Sequence, residues 1–462
     1  MRRTISLLYW LMPGIGIKRW LLLFSGGIFV ASLGLAITFN AGILIRAYSV
    51  TWWAAYNLTG RYLPTLWGSL LILLGIFVMA LAVQKLVKGV LDVLLPTRNG
   101  QLGNLLYQQR QLERGPRIVA LGGGTGLSTL LRGLKHYTMN LTAVVTVADD
   151  GGSSGKLRGE LGILPPGDIR NCLVALADTE PMMESLFQHR FDRGSLKGHS
   201  FGNLLIGALT EMLGDFEKGV QEASKVLAIR GKVLPSTLEQ VELCARFRDG
   251  ETVCGESKIA ADPRSIESVF LKPRQPAALP AVCEAIEQAD MIIIGPGSLY
   301  TSVLPNLLIP EIAERIRKRK VPCVYVVNIM TQPGESDGYK ASDHLAAIEA
   351  HLGKGMIDAV VVNTERIPEG SLRNYLKDGA EPVKADKVVL ERMGYQVITG
   401  SLVEKNHEES WIRHDHDKLA SLLFTWFLHQ KTNIHFGWGL HYLMVNRWIR
   451  RNSTAALRKN RL

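Results

Sequence analysis

The sequence predicts an α/β fold, a doubly wound and mostly parallel sheet, preceded by two transmembrane helices. Two uncharged apolar stretches, residues 20–45 and 62–84, lie near the start. Beyond residue 115, short apolar runs alternate with segments of helical periodicity, as strand–helix–strand units around a parallel sheet do. At least two of those runs end in glycine-rich turns that open helices. Hydrophobic residues make up 47% and charged residues 21%, and the mean hydropathy is +0.10. That is too apolar for a disordered chain and slightly high for a purely soluble one.

About 20 apolar residues cross a bilayer as a helix, so both stretches qualify as spans. A cleaved signal peptide has a shorter apolar region and is not followed by a second span. Buried core helices remain the alternative. The loop between the spans carries only Arg46 and Arg61, whereas Arg2, Arg3, Lys18 and Arg19 precede the first and Lys85, Lys88 and Arg98 follow the second. The positive-inside bias then places both termini in the cytoplasm. Trp10, Trp20, Trp52, Trp53 and Trp67 lie near the ends, as interfacial aromatics do.

The net charge of +11 is unevenly spread: residues 1–114 hold eleven Lys/Arg and two acids, and residues 431–462 hold seven and none. The middle is mildly acidic. Basic charge confined to the flanks of apolar segments suits a lipid bilayer and excludes a nucleic-acid partner, which needs its basic stripe on the folded domain. The expected organisation is a membrane anchor at 1–92, a linker at 93–114, an α/β domain at 115–415 and a basic, aromatic amphipathic tail at 416–462 that lies in the headgroup region or docks on the domain. The five cysteines form no CxxC, so neither a zinc knuckle nor a disulfide framework is indicated, and a reducing compartment fits best.

Within the domain, 117–121 reads as a first strand and 127–136 as its helix, with further strands at 141–148, 291–294, 323–327 and 359–362 and helices at 305–320 and 340–352. The turn Gly122-Gly123-Gly124-Thr125-Gly126 joins the first strand to its helix, where backbone N–H groups and a helix N-terminus receive a phosphate. A tight turn without a ligand uses the same glycines. The third glycine of the dinucleotide fingerprint is missing, which disfavours NAD, and there is no Walker lysine. Asp149 and Asp150, with Ser153 and Ser154, end the second strand and so face the same crevice. Carboxylates there hold ribose hydroxyls or a Mg²⁺ that neutralises a diphosphate. Asp168, Arg170 and Asn171 follow a double-proline turn; Asp168 serves either the crevice or only its helix as an N-cap, and Arg170 suits bidentate diphosphate recognition. His199 and Asn203 open an apolar helix. Gly295, Pro296, Gly297 and Ser298 repeat the strand, glycine-turn, helix layout, and no GxSxG elbow supports a serine-hydrolase triad.

The motifs GGGTG, VADDGGSSG and LPPGDIRN within 118–178, then HSFGNLL, VLPSTLE (233–239), IIIGPGSLYTSVLPNLL (292–308) and NIMTQPGES (328–336), resemble those of the YvcK/CofD-like family, specifically its YvcK or gluconeogenesis-factor branch. The resemblance covers about 115–405. It implies a Rossmann-like fold that binds UDP-sugars such as UDP-N-acetylglucosamine, in bacterial proteins needed for cell shape and for growth on gluconeogenic carbon sources. The CofD branch transfers a phospholactyl group from a nucleotide diphosphate donor using Mg²⁺ and acids that match Asp149 and Asp168. LPPGDIRN departs from the acidic segment of that branch, and the two spans are additional to the commonest, soluble members. The reading is therefore a UDP-sugar-binding regulator on the bacterial inner membrane, multi-pass, with cell-wall synthesis proteins as partners and oligomers allowed. The alternative is a Mg²⁺-dependent phospholactyl- or nucleotidyl-type transferase.

Overall fold

The computed structural model describes residues 17–38, 64–94, 109–178, 181–404 and 412–430. They belong to two units, residues 1–107 and 108–462, each with its own packing.

The first unit is a pair of helices, α1 (Ile17–Thr38) and α2 (Pro64–Leu94). Glycines let the two backbones meet. A Cβ on Gly34 would lie 2.6 Å from the Gly68 carbonyl oxygen, and one on Gly75 would lie 2.6 Å from the Ala31 nitrogen. Gly27 faces Met79 and Gly75 while Gly34 faces Gly68, so the helices run antiparallel. Such small-residue seams are how helices associate when surrounding lipid is as apolar as leucine. Outward from the seam, Leu22, Phe29 and Leu73 are exposed at 74%, 67% and 68%. Trp20–Thr38 and Leu66–Val87 are long and apolar enough to cross a membrane. Residues 39–45 and 62–63 of the expected spans, and most of the linker, lie outside the described residues.

The second unit begins with β1 (Ile118–Gly122), α3 (Gly124–Leu134), β2 (Leu141–Val145), α4 (Gly152–Leu161), α5 (Gly167–Leu176), α6 (Pro181–Gln188), α7 (Phe201–Leu213), α8 (Phe216–Val226) and β3 (Lys232–Pro235). Next come β4 (Glu242–Phe247), β5 (Thr252–Cys254), α9 (Glu256–Ala261) and β6 (Ile266–Lys272). The last part holds α10 (Pro280–Gln288), β7 (Met291–Ile294), a π-helical turn (Leu299–Val303), α11 (Leu304–Leu307), α12 (Pro310–Lys318) and β8 (Cys323–Val326). It ends with α13 (Ala341–Leu352), β9 (Ala359–Asn363), α14 (Glu369–Lys377), α15 (Lys387–Arg392), β10 (Gln396–Gly400) and α16 (His416–Gln430).

Seven strands form one parallel sheet in the order β10-β9-β8-β7-β1-β2-β3. The central strands are continuous apolar runs, Ile118–Gly122 and Met291–Ile294, buried at every position because helices cover both faces. From β1 the chain winds through β2 to β3, and from β7 it winds the other way to β10. Right-handed crossovers then send α3 and α12 to opposite faces. On one layer α3 packs against α5 and α16; on the other α10 packs against α12. Helix N-termini are set locally: Ser200 accepts from the Asn203 N–H at 3.3 Å, and Asp215 from that of Lys218 at 2.8 Å.

The expected doubly wound α/β sheet is present, with three differences. The helix expected over 305–320 is two helices, because α11 stops before Pro310 and that proline opens α12. The expected 415 boundary cuts the core: α16 buries Leu419, Leu423, Phe424 and Phe427 completely, so the domain reaches residue 430, while 431–462 lie outside the described residues. A separate antiparallel sheet, β5-β4-β6, sets Cys244 opposite Cys254, and the two form a disulfide. Spacing did not reveal this pair because hairpin register, not a short motif, aligns the cysteines.

The Phe424 ring lies 4.9 Å from that of Tyr137 at the α3–α16 contact, and both side chains are fully buried. Phe424→Ala should lower stability by about 3–5 kcal/mol, the range for large aromatic truncations in cores. Urea unfolding of the purified chain checks it; a loss below about 1 kcal/mol would place α16 outside the core.

Candidate functional site

Gly122 ends β1, and α3 starts two residues later, so the intervening turn sits at the carboxyl edge of the sheet. Gly124 holds φ +62, a conformation that side chains rarely adopt. Its neighbours are glycine for lack of space: a Cβ on Gly123 would lie 2.5 Å from Asp168 Oδ2, and one on Gly126 2.6 Å from the Pro296 carbonyl oxygen. At Gly122 the nearest atom would be 3.5 Å away, so glycine is not required there.

The second turn follows β7 and touches the first. Gly295 N–H donates to the Leu121 carbonyl at 2.8 Å, which ties β7 to β1 where both end. Asn306 is fully buried, and its Nδ2 donates to the carbonyls of Gly122 (3.0 Å) and Ser302 (2.8 Å). Asn328 accepts from Gly297 N–H at 3.0 Å and donates to the Gly297 carbonyl at 2.8 Å. Gln332 Nε2 donates to Ser298 Oγ at 2.5 Å. The loop after β8 thus holds the loop after β7 through amide side chains.

Between these turns lies a cleft of about 390 Å³. Gly123, Gly124, Thr125 and Gly126 form one wall, Pro296, Gly297, Ser298, Thr301 and Ser302 another. Asp149, Asp168 and Glu256 supply acids, and Ile329, Met330, Tyr375, Ile412, Arg413 and His414 also line the cleft.

The acids are held in an uncomfortable environment. Asp168 is pushed up to about 6, first by burial and then by the charge of Asp149, against the opposing Gly124 N–H and Arg170. Glu256 rises to about 8, again by burial first, then by Asp149, Glu335, Asp150 and Asp168. Glu335, behind the second turn, is pushed by burial to about 7, although Thr301 Oγ1 donates to it at 3.0 Å. Asp149 itself accepts from Gly151 N–H at 2.9 Å. Burial lowers His414 to about 4, so its ring is neutral at neutral pH.

Of the residues expected from the sequence, Gly123–Gly126, Asp149, Asp168 and Pro296–Ser298 come together in the cleft wall. The rest take other places. Asp150 caps α9, accepting from the Ser257 N–H at 2.8 Å. Ser153 Oγ meets His199 Nδ1 at 3.1 Å and accepts from Asn203 Nδ2 at 3.1 Å, a buried network that seats α4 on α7. Ser154 is buried beside Gly167. Arg170 donates to Ser200 Oγ and, at 2.8 Å, to Asn171 Oδ1, and its stem lies against Gly202. Gly122 and Gly295 support the turns from below. Thr129, Thr146, Glu256, Thr301, Ser302 and the residues after 328 were not foreseen as site residues. Asn328–Gln332 lies inside the NIMTQPGES motif, a signal already visible; Tyr375 and Arg413 stand alone in the sequence, without one.

The sheet and its switch-point cleft define a Rossmann-like α/β protein. The family profile of 2-phospho-L-lactate transferase CofD matches residues 118–403, and the chain belongs to this family. It is 53% identical over 309 residues to a gluconeogenesis factor of Bacillus subtilis, covering 67% of this chain and 97% of that one. A gluconeogenesis-factor relative of Nostoc sp. is 46% identical and spans 90% of this chain and 92% of its own. The crystal structure of a UPF0052 family protein from Bacillus halodurans matches with TM-score 0.64 at 50% identity, covering 66% of this chain and 97% of that one.

The raised carboxyls set a sign for the pH dependence. Glu256 keeps its proton in the fold up to about pH 8, against an ordinary 4.5. Its penalty is absent below pH 4.5, grows between 4.5 and 8, and is complete above. Glu256→Gln should therefore gain in Tm over the wild type as pH rises through that window. Tm curves that stay parallel from pH 4.5 to 8 would contradict the assignment.

Proposed function

We propose that this domain binds a UDP-sugar of the UDP-N-acetylglucosamine type and acts as a membrane-anchored cytoplasmic regulator linked to gluconeogenic growth and cell shape. The carrying observation is the convergence of two glycine turns, after β1 and β7, on one cleft at the switch point of the sheet. Both turns lead into helical segments, but Gly295 and Gly297 spend their N–H groups on Leu121 and Asn328, so the turn after β1 at the start of α3 would be the main seat of a diphosphate. The rest of the lining, with Ile329, Met330 and Tyr375 among Asn328, Thr331 and Arg413, combines apolar faces with polar handles suited to a base and sugar. The volume falls within the roughly 300–1,000 Å³ of small-molecule sites. The relatives' name links them to gluconeogenesis, and the hairpin α1–α2 with its basic flanks supports the anchor.

Asp149 and Asp168 favour a second reading, transfer of the CofD kind. Asp149 raises Asp168 through their mutual repulsion, so the pair fits a divalent cation. Mg²⁺ held there would neutralise a diphosphate leaving group. The chain's own part would be to orient the donor on Gly123–Gly126 and to exclude water with Tyr375, Ile412, Arg413 and His414.

Thermal shift with UDP-, GDP- and adenine nucleotides tests the binding, because a ligand at 100 times its Kd stabilises by about 2.7 kcal/mol. UDP-sugars should raise Tm, and Gly124→Val, which cannot hold the positive φ without strain, should abolish the rise. A folded variant with unchanged UDP-sugar affinity would overturn the assignment. Asp149→Asn combined with Asp168→Asn separates the two readings: metal-dependent turnover present in the wild type and lost in the pair supports transfer, and no turnover across a broad acceptor panel supports the regulator.

A further inference from the structure

We propose that the Cys244–Cys254 bridge is a reversible redox clasp that holds Glu256 in the cleft and so sets ligand affinity. The bridge joins β4 to β5, a three-residue strand at the edge of the small sheet. One residue on, the Gly255 N–H donates to the Leu243 carbonyl at 2.8 Å; the next residue, Glu256, lines the cleft and opens α9. Ser257 N–H is held by Asp150 at 2.8 Å, beside cleft-lining Asp149. The clasp is thus two residues from a cleft carboxylate and one hydrogen bond from the turn that carries another.

Placing the domain in the cytoplasm, as proposed above, makes a permanent bridge untenable, since disulfides there are usually transient or redox-sensing. Access is asymmetric: Cys244 is fully buried and Cys254 half-buried, so a thiolate reaches the Cys254 sulfur first. Attack by a dithiol reductant forms a mixed disulfide at Cys254 and releases Cys244 as a thiolate, which takes up a proton. The second thiol of the reductant then displaces Cys254, which leaves as the second protonated thiol. Two electrons and two protons pass to the protein, and the reductant becomes a disulfide. Three paired residues then remain to keep β5 on β4, and the start of α9 loosens. Ligand binding must reorder it, which lowers affinity.

The test uses the full chain in detergent, oxidised with glutathione disulfide or reduced with dithiothreitol. Peptide mapping of the oxidised chain should show Cys244 linked to Cys254, with Cys172, Cys283 and Cys323 still thiols. Hydrogen exchange over 252–261 should quicken on reduction, and UDP-N-acetylglucosamine affinity should fall by about fivefold or more, the lower end of measured site couplings. Cys244→Ser combined with Cys254→Ser should behave as the reduced chain under both conditions. A pair that stays reduced in glutathione disulfide, exchange indifferent to reduction, or equal affinities in the two states would overturn the clasp. Absence of UDP-sugar binding in both states would instead overturn the ligand assignment, and the exchange data alone would then decide the clasp.

Discussion

The site depends on one topological constraint, the adjacency of β1 and β7. Each of these strands feeds a helix that turns away from the other, so no crossover passes above their carboxyl ends and a crevice is left open. Register sets the height of its walls, because Leu121 pairs with Ile294 and the residue after each begins or approaches a glycine turn. The hydrogen bond from Gly295 to Leu121 and that from Thr146 to Gly122, at 3.1 Å, lock three strand ends together below the cleft. A shift of one residue in the β1–β7 register would part the turns and turn the apolar side chains of both strands to the opposite faces.

That adjacency leaves little room for side chains, and the residue types follow. Gly123 and Gly126 are fixed by what they would strike, an Asp168 oxygen and the Pro296 carbonyl. The turns are fastened by Asn306, Asn328 and Gln332, whose amides donate to backbone and hydroxyl oxygens and, at Asn328, accept from the Gly297 N–H. Such fasteners are directional, and an unsatisfied buried amide costs about 1–3 kcal/mol, so the turns keep one geometry where apolar packing would allow several. In the same way Arg170 acts at a distance. By holding Ser200, the N-cap of α7, it steadies the helix whose Asn203 supports Ser153 at the start of α4.

Local signals made the fold and the two turns legible. Continuous apolar runs ending in glycine marked β1 and β7 as strands, and the glycines marked where an anion approaches backbone. Residues whose role arises only on folding were not legible. Glu256 stands 107 residues from Asp149, and only the small sheet brings it to the cleft. Arg170 reads from the sequence as a phosphate ligand, and in the fold its two terminal nitrogens also hold Ser200 and Asn171. The basic charge of 431–462 misled in a similar way when extended back to 416–430, which holds only Asp417 and Lys418 as charged residues and forms a helix whose apolar face completes the layer beside α3. A charge count weighs every residue equally, whereas the core depends on which face of the helix each occupies.

The acids decide what kind of binding the cleft supports. Burial raises Asp168, Glu335 and Glu256 alike, to about 6, about 7 and about 8, so Glu256 holds its proton most firmly of the three. A diphosphate entering this cleft would bring further negative charge against Asp149 and Asp168. At an effective dielectric constant near 20, two unit charges 4 Å apart repel by about 4 kcal/mol, more than one hydrogen bond to a backbone N–H returns. A protonated Glu256 adds no such repulsion, which leaves the aspartate pair. On the transfer reading proposed above, a divalent ion held by Asp149 and Asp168 would turn that repulsion into attraction, while the glycine turns supply the geometry. The two readings share the glycine turns and differ in what the acids hold and in whether an acceptor reacts, so the acceptor side separates them.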